Sequence, residues 1–395
     1  MDRSKREQVA AALEELKIEL PSWGFANTGT RFGKFVQAGA ATTIEEKLAD
    51  AGEVNRLTGC CPRVAVHVAW DFPGGAASAS RVAEEARRLG ISIGSINPTL
   101  FEEQSYKFGS LGNPDPEIRR MALDHIRESV ACMRAVGSRE LVLWFADGSN
   151  YPGTAHIRDR KRWFEESLSQ VGDELSESER MLVEYKPFEP AFYHTDIADW
   201  GMAYLMAQKA GSNARVLVDT GHHYQGQNIE QIVAWLLSEG MLGGFHFNDR
   251  RYADDDLTVG SIDPYQLFRI FYEIHLERWE TGRLTPISYM VDQSHNLKGK
   301  IEAMIQTVTT VQEIYAKAAL LDFAALRDFQ KDCRLIDAEE CLKEAFRLDV
   351  REDLESWRAQ RGLPANPLRA FREGDYLRRI ESERAGRNRA TGGYV

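Results

Sequence analysis

The segment RVLVDTGHHYQGQNIEQIVAWLLSEGMLGGFHFN, residues 215–248, consists of an apolar run, an amphipathic stretch and a second apolar run. The two runs, RVLVDT and GGFHFN, have the composition typical of β-strands that are buried on both faces. Between them, the apolar residues of IEQIVAWLLSEG recur three and four positions apart and a glycine ends the pattern, which predicts a helix. The segment therefore predicts a strand, a helix and a second strand of an α/β fold.

The same alternation continues in both directions along the chain. The other predicted strands are SWGFAN near Trp23, RVAVHVAW (63–70), ISIGSIN (91–97), ELVLWFA (140–146), MLVEYKP (181–187) and ISYMVDQ (287–293). Helical patterns such as PEIRRMALDHIRESVACMRAVG lie between them. About eight strand–helix units predict a (β/α)8 TIM barrel, in which functional residues gather at the carboxyl ends of the strands.

The composition of the chain changes beyond residue 320. The stretch from 322 to 362 is helical in pattern with nearly balanced charge, and the last residues have no long apolar face with which to fold alone. We expect residues 1–320 to form a barrel with an N-terminal helix. Residues 321–395 should form a helical or irregular C-terminal extension that wraps the barrel or, at an interface, a neighbouring subunit. A nucleic-acid arm is less favoured, because acidic residues are interspersed.

Composition restricts the partners of the protein. The net charge of −11 argues against binding to nucleic acid or to an anionic membrane, which requires clustered Lys and Arg. Five irregularly spaced cysteines, with Cys60 next to Cys61 and no CxxC pattern, indicate reduced thiols. No apolar stretch approaches the ~18 residues of a membrane span. These features predict a cytoplasmic protein.

Carboxylates and imidazoles stand at the ends of four successive predicted strands. The candidate metal ligands are Glu184, Asp219, His222, His246, Asp254, Asp256 and Asp292. Singly, each has an ordinary explanation as a helix cap, a core histidine or a solvated acid, but their order along four strand ends outweighs these explanations. Carboxylate oxygens with two imidazoles suit Mn²⁺, Mg²⁺ or Co²⁺ better than a thiolate zinc site. Gly221 should allow an unusual backbone geometry in the TGHH turn.

Other side chains at strand ends are candidates for binding a small molecule. Lys186 lies two residues after Glu184 on a strand, so both side chains point to the same side. Its ammonium could hold a substrate oxygen, and an ordinary salt bridge is the alternative. His67, Trp70 and Trp144 follow two earlier strands and could form the donor and the apolar walls of a sugar pocket, with core packing as the alternative.

Four strings, VEYKP, VDTGHHYQGQNIEQI, GFHFNDRRYADDDLTVGSIDP and MVDQSHN, resemble the xylose isomerase-like superfamily and, within it, the L-rhamnose isomerase type. The similarity extends over most of the chain, starting from GTRFG near Arg31. It implies a metal-dependent barrel that interconverts an aldose and a ketose. It further implies a small sugar as substrate and a homotetramer.

Taken position by position, the resemblance implies two divalent cations per subunit, with Mn²⁺ as the first choice. Four residues resemble the ligands of a structural ion (Glu184, Asp219, His246 and Asp292), and three those of a catalytic ion (His222, Asp254 and Asp256). The residues assigned to catalysis are Lys186, His67 and Asp292. Those assigned to substrate binding are Trp70, Trp144, His222 and Phe32. Phe32, in TRFGKF, is the candidate aromatic residue that one subunit contributes to its neighbour's pocket.

The implied reaction is the conversion of L-rhamnose to L-rhamnulose by a metal-mediated hydride shift. An ene-diol route would need a general base at C2, and no isolated base is evident in the sequence. Isomerisation of D-allose or D-xylose is an alternative, because all aldoses share the vicinal oxygens that the cations recognise. An abasic-site endonuclease is less favoured, since it needs a basic groove and this barrel is acidic. A non-enzymatic metal store is the remaining alternative.

Overall fold

The computed structural model describes residues 3–30, 33–188 and 194–387 of the chain. Its strands are β1 (Ile18–Pro21), β2 (Gly29–Thr30), β3 (Gly33–Lys34), β4 (Arg63–His67), β5 (Ser92–Asn97), β6 (Glu140–Leu143), β7 (Arg180–Glu184), β8 (Ala214–Asp219), β9 (Leu242–Phe247) and β10 (Ser288–Val291). Eight of them close into a parallel barrel in the order β1-β10-β9-β8-β7-β6-β5-β4, while β2 and β3 pair antiparallel. The predicted (β/α)8 TIM barrel is confirmed.

Helices surround this barrel and continue beyond it. They are α1 (Arg3–Glu15), α2 (Ile44–Thr58), α3 (Val68–Asp71), α4 (Ala76–Arg88), α5 (Pro116–Val136), α6 (Ile157–Glu174), α7 (Trp200–Ala210), α8 (Ile229–Ser238), α9 (Pro264–Thr281), α10 (Lys300–Ala319), α11 (Phe323–Lys331), α12 (Leu335–Arg347), α13 (Arg351–Ala359), α14 (Pro367–Glu373) and α15 (Tyr376–Arg384). Two short 3-10 helices span Ser22–Phe25 and Gln104–Phe108. Within the described ranges, no helix is both long and apolar enough to cross a bilayer.

The first strand lies elsewhere than the sequence predicts. The apolar pattern predicts a strand over SWGFAN, but Ser22–Phe25 is a 3-10 helix and the strand is β1, directly before it. Glu19 interrupts the apolar pattern of β1, although its carboxylate is fully buried and accepts hydrogen bonds from the Ser95 N–H and Oγ–H. Because Glu19 breaks the run of apolar residues, a prediction based on such runs does not find this strand.

The strand predicted over 63–70 ends three residues early. β4 stops at His67, and α3 follows as a single helical turn. The turn is held by Asp71, whose Oδ2 accepts from the His67 N–H at 3.0 Å and from Ser22 Oγ at 2.6 Å, while Oδ1 accepts from Lys47 Nζ at 2.6 Å. Trp70 therefore lies on a helical turn above the barrel, and not on a strand.

A layer of apolar side chains fills the barrel below its carboxyl end. Val142, Leu182, Leu217 and Met290 come from β6, β7, β8 and β10, have no solvent exposure and pack together. Such layers make the interior of a TIM barrel a packed core and not a channel. We call these four residues the apolar floor, because they close the barrel interior beneath its carboxyl end.

The C-terminal helices α11 to α15 pack against the barrel of their own chain. Trp357 on α13 lies in an apolar cluster with Val9 and Leu13 of α1 and with Ala316 of α10. On α15, Arg384 makes a two-pronged ion pair with the fully buried Asp50 of α2, with N–O distances of 2.8 and 2.9 Å. The predicted helical extension is confirmed as the five helices α11 to α15. Its division from the barrel at residue 320 and its role at a subunit interface stay predictions.

Candidate active site

Strand alternation places the candidate ligands directly above the apolar floor. Successive strand residues point to opposite faces, so a residue two positions further along points the same way. Trp144, Glu184, Asp219 and Asp292 stand two positions after Val142, Leu182, Leu217 and Met290. In β9, His246 is paired in register with Asp219 of β8 and with Met290 of β10. The barrel thus brings together side chains that are far apart in sequence.

The first group of possible ligands contains Glu184, Asp219, His246 and Asp292. One donor atom of each lies within 4.8 Å of the donor atoms of the other three. His246 Nδ1 is 3.2 Å from Glu184 Oε1, 3.9 Å from Asp219 Oδ2 and 3.8 Å from Asp292 Oδ2. Three carboxylates around one imidazole form a set that could hold a divalent cation.

The second group contains Asp219, His222 and Asp254, so Asp219 belongs to both. His222 Nε2 is 3.8 Å from Asp219 Oδ2 and 3.3 Å from Asp254 Oδ2. The other ring nitrogen of His222, Nδ1, lies 2.9 Å from the carbonyl oxygen of Tyr185. This contact fixes the ring orientation, as is common for histidines that bind metal.

Gly221 is needed for space and not for its backbone conformation. Contrary to the expectation of unusual geometry, it is not among the described glycines with positive φ. A Cβ atom at this position would lie 2.6 Å from Asn248 Oδ1 and 3.0 Å from Asp254 Oδ1. The Gly221 N–H and Asn248 Nδ2 both donate to Asp219 Oδ1, at 2.6 and 3.0 Å. The absence of a side chain therefore allows the loop to hold Asp219.

Buried polar atoms at the centre of the two groups are consistent with bound cations. Among the described residues, Asp219 Oδ2, Asp254 Oδ1 and His246 Nε2 have no hydrogen-bond partner. Buried polar atoms are rarely left unpaired in proteins, because each costs about 1–3 kcal/mol. Coordination to an ion would satisfy these atoms, so the donor set fits a metal centre.

The pKa values of Asp219 and His246 are also consistent with a bound cation. Burial raises the pKa of Asp219 to about 7, with the neighbouring carboxylates adding to the effect and His222 opposing it. Burial would lower the pKa of His246, but Glu184, Asp292 and Asp219 outweigh it and raise this pKa to about 9. The crowded carboxylates therefore favour bound protons at this site, and a divalent cation would balance the same negative charge in their place.

A cavity of about 190 Å³ opens above the two groups. The residues that line it on the ligand side come from the ends of β7 to β10 and the loops after them: Glu184, Lys186, His222, His246, Asp254 and Asp292. The opposite side is largely aromatic and follows β1, β4, β5 and β6: Trp23, His67, Trp70, Asn97, Pro98, Phe101, Val142 and Trp144. One wall is thus charged and the other largely apolar, a combination that suits a sugar with hydroxyls on one side and C–H groups on the other.

Lys186 and His67 both line this cavity. Lys186 Nζ is 2.5 Å from Asp254 Oδ2 and lies 5.6 Å from the centre of the Trp144 ring. Burial, with Lys47 and His246 nearby, lowers the pKa of His67 to about 3, so its imidazole is neutral. His67 Nδ1 is 3.2 Å from Thr99 Oγ1, and the Trp70 ring lies over the imidazole with the ring centres 4.0 Å apart.

Two of the predicted site residues need separate mention. Asp256 is in neither ligand group, although burial raises its pKa and the carboxylates of Asp254, Asp292 and Asp219 add to the effect. Its φ of 46° places it in the left-handed region, which is uncommon for a residue with a side chain. Phe32 lies outside the described residues. The roles assigned to both stay predictions.

Sequence reasoning missed several residues that line the cavity, notably Trp23 and Phe101. Trp23 lies just beyond β1, and the error in placing that strand concealed its position. Phe101 lies in the loop after β5, and its ring packs edge-on against Trp144 at 5.1 Å. An aromatic residue within four positions of a strand's carboxyl end was the available signal.

Comparison with known proteins places the chain in a family. Residues 62–280 match the family described as xylose isomerase-like TIM barrel. A probable sugar isomerase of Rhizobium meliloti (strain 1021) is 38% identical over 392 residues, covering 98% of this chain and 90% of the relative. The L-rhamnose isomerase of Bacteroides thetaiotaomicron is 23% identical over 354 residues, covering 82% of this chain and 81% of that enzyme.

Among solved structures, 3-keto-D-glucoside 4-epimerase from E. coli has a similar fold, with a TM-score of 0.55. It is 12% identical in sequence, and the match covers 75% of this chain and 99% of the epimerase. At this identity the likeness extends to the fold alone. The extended sequence match and the closed barrel together establish that the chain belongs to the xylose isomerase-like TIM barrel family.

Proposed function

We propose that this protein is a metal-dependent aldose–ketose isomerase that converts L-rhamnose to L-rhamnulose. The main support is the pair of ligand groups that share Asp219 beneath a cavity with one charged and one aromatic wall. The similarity to an L-rhamnose isomerase along 82% of the chain favours this aldose. The closer similarity to a probable sugar isomerase supports the class of reaction.

The two groups would hold two divalent cations, with Mn²⁺ as the first choice and Co²⁺ or Mg²⁺ as alternatives. Glu184, Asp219, His246 and Asp292 would hold the first ion. The second would be held by His222 and Asp254, with Asp219 shared and Asp256 recruited from the same loop. When bound, divalent cations stabilise negative charge on the two substrate oxygens.

The reaction requires the C2–H bond to break and a C1–H bond to form, while the proton on O2 passes to O1. We assign Lys186 to the binding of a substrate oxygen, because its ammonium lies in the cavity beside Asp254. Neutral His67 is placed to exchange a hydrogen bond with the sugar opposite. Asp292 faces the cavity from the end of β10, where its carboxylate can take part in the proton transfer. The aromatic wall excludes water, which strengthens these interactions.

The test starts from protein stripped of metal with a chelator. Mn²⁺, Co²⁺, Mg²⁺ and Zn²⁺ are then added back one at a time, and ketose formation from L-rhamnose is followed. We expect no turnover without an ion and the highest turnover with Mn²⁺. Full turnover in the stripped protein, or no ketose with any ion, would contradict the proposal.

The choice of aldose is tested separately, since the cations would recognise oxygens that all aldoses share. We expect kcat/KM to be highest for L-rhamnose in a panel that includes D-allose and D-xylose. A higher value for either of those sugars would reassign the substrate and leave the isomerase proposal in place.

A further inference from the structure

Asp292, after the last barrel strand, accepts a hydrogen bond from Trp23, which follows the first barrel strand. Trp23 Nε1 donates a hydrogen bond of 2.8 Å to Asp292 Oδ1, across 269 positions of sequence. The contact is possible because β1 and β10 are neighbouring parallel strands, so the residues just beyond their carboxyl ends meet. Trp23 also lines the cavity, so one side chain contacts both a candidate ligand and the space for the substrate.

We propose that Trp23 is a positioning residue for the metal centre: its indole N–H holds Asp292 Oδ1 and so turns Oδ2 towards the first ion. This inference rests on the proposed two-ion site. Asp292 Oδ2 is the oxygen that lies 3.8 Å from His246 Nδ1 within the first ligand group. A hydrogen bond to the outer oxygen of a ligating carboxylate fixes its orientation and lowers the cost of ordering it when the ion binds.

Asp219 shows the same arrangement in the same cluster. Its Oδ1 accepts from the Gly221 N–H and from Asn248, while Oδ2 faces His246 and has no hydrogen-bond partner in the described part of the chain. Two carboxylates of the first group therefore each have one oxygen held by the protein and the other directed at the group. The repetition indicates that the Trp23 contact is part of how the cluster is built.

The position of Trp23 is itself fixed by tight packing. A Cβ atom at Gly24 would lie 2.3 Å from Met304 Cε and 2.9 Å from the carbonyl oxygen of Gln293, the residue after Asp292. The 3-10 helix that carries Trp23 is thus pressed against the chain that carries Asp292. On its other side the Trp23 ring meets His67 edge-on, with centres 5.0 Å apart. Movement of the indole is restricted from both directions.

The experiment measures the affinity of the stripped full-length protein for Mn²⁺ by calorimetric titration. In Trp23→Phe the apolar wall is kept and the N–H is lost, and we expect Mn²⁺ to bind ~10- to 100-fold more weakly. The matched control is Trp144→Phe. Trp144 lines the same cavity, but its indole N–H has no partner among the residues that the structure describes. We expect the control to bind Mn²⁺ with the affinity of the unaltered protein.

A second variant separates the hydrogen bond from the shape of the side chain. Benzothienylalanine incorporated at position 23 keeps the bicyclic ring and replaces the N–H by sulfur, so folding is preserved even if the smaller Phe is not tolerated. We expect weakened Mn²⁺ binding by a metal-free form that still folds and unfolds cooperatively in urea, with its midpoint lowered only by the loss of one hydrogen bond. If both position-23 variants bind Mn²⁺ as tightly as the unaltered protein, the positioning role is wrong and the metal centre stands. If the unaltered protein binds neither Mn²⁺, Co²⁺ nor Mg²⁺, the proposed centre fails and this inference fails with it.

Discussion

At the residue scale, the candidate metal site is built around Asp219, which belongs to both groups of possible ligands. Its Oδ2 lies 3.9 Å from His246 Nδ1 and 3.8 Å from His222 Nε2. A carboxylate shared in this way would keep two ions close together, as in enzymes where two cations act on adjacent oxygens. The histidine of the second group is the more informative residue to change, because it belongs to that group alone.

His222→Ala should reduce kcat/KM by about 100-fold or more, since loss of one Lewis acid removes several kcal/mol of charge stabilisation. The metal-free form should also lose stability, because the imidazole is the buried partner of the carboxylates of Glu184, Asp219 and Asp254. Ketose formation and thermal unfolding measure the two effects.

The matched control for that change is His223→Ala. This neighbouring imidazole is equally buried but contacts the Tyr185 hydroxyl at 2.7 Å and belongs to neither ligand group. The control should lose stability and keep its response to added Mn²⁺. Full activity of His222→Ala would remove the second ion from the mechanism.

At the element scale, the strands carry the site on a rigid apolar layer. The floor residues are completely buried, and each lies two positions before a residue of the cavity or of the ligand groups. A loss of volume in this layer should therefore affect the whole barrel, whereas a change in an exposed loop at the same end should not.

Leu182→Ala should lower the free energy of unfolding by about 2–5 kcal/mol, because it leaves a cavity between tightly packed strands. Leu297→Ala, in the loop after β10, should change it by less than about 0.5 kcal/mol, because that side chain is 86% exposed. Urea unfolding of both variants provides the comparison. Equal stabilities would show that the floor layer is not a packed core.

A second prediction at this scale concerns Glu273 on α9. Burial, together with Glu230 and Glu280, raises its pKa from 4.5 to about 7. The folded chain therefore binds this proton more tightly than the unfolded chain, so the stability it contributes is present below pH 4.5 and is lost as the pH rises to about 7. In Glu273→Gln this loss should disappear. Unfolding midpoints measured from pH 4 to 8 would show a smaller decline in the variant, and an identical decline would contradict the prediction.

Sequence patterns predicted most of the elements and placed six of the seven candidate ligands in the groups that the barrel brings together, for physical reasons that also explain the errors. Parallel strands buried on both faces leave apolar runs, and polar side chains of a barrel site stand at the ends of these runs, so Glu184 and Asp219 could be named as candidates. β1 was missed because Glu19 places a buried charge inside the strand. The contact of Trp23 with Asp292 could not be predicted, since it depends on barrel closure between the first and last strands.

At the scale of the whole molecule, the C-terminal extension is fastened to the barrel by buried charges. Arg384 is bound to Asp50 and donates to the carbonyl oxygen of Gly39, and the hydroxyl of Tyr376 also donates to Asp50. Burial raises the pKa of Asp50, with Arg384 opposing the effect. The last helices therefore complete the environment of a carboxylate that lies in α2.

Arg384→Ala should cost about 3–5 kcal/mol in the free energy of unfolding, because it leaves the buried Asp50 without its counter-ion. Arg378→Ala removes a cation from the same helix whose pair with Asp375 is exposed, and it should cost at most about 1 kcal/mol. Chemical unfolding monitored by tryptophan fluorescence would distinguish them. Similar losses for the two variants would show that the extension is not held by this ion pair.

The unequal walls of the cavity have a consequence for how such enzymes diversify. Residues that would hold the ions follow β7 to β10, whereas the aromatic residues follow β1 and β4 to β6. Mutations in the loops of one half-barrel can thus reshape the fit to a sugar without removing an ion ligand. Only Trp23, after β1, is tied to the opposite wall through Asp292, so the loops after β4 to β6 are the places where a change of sugar would cost the metal centre least.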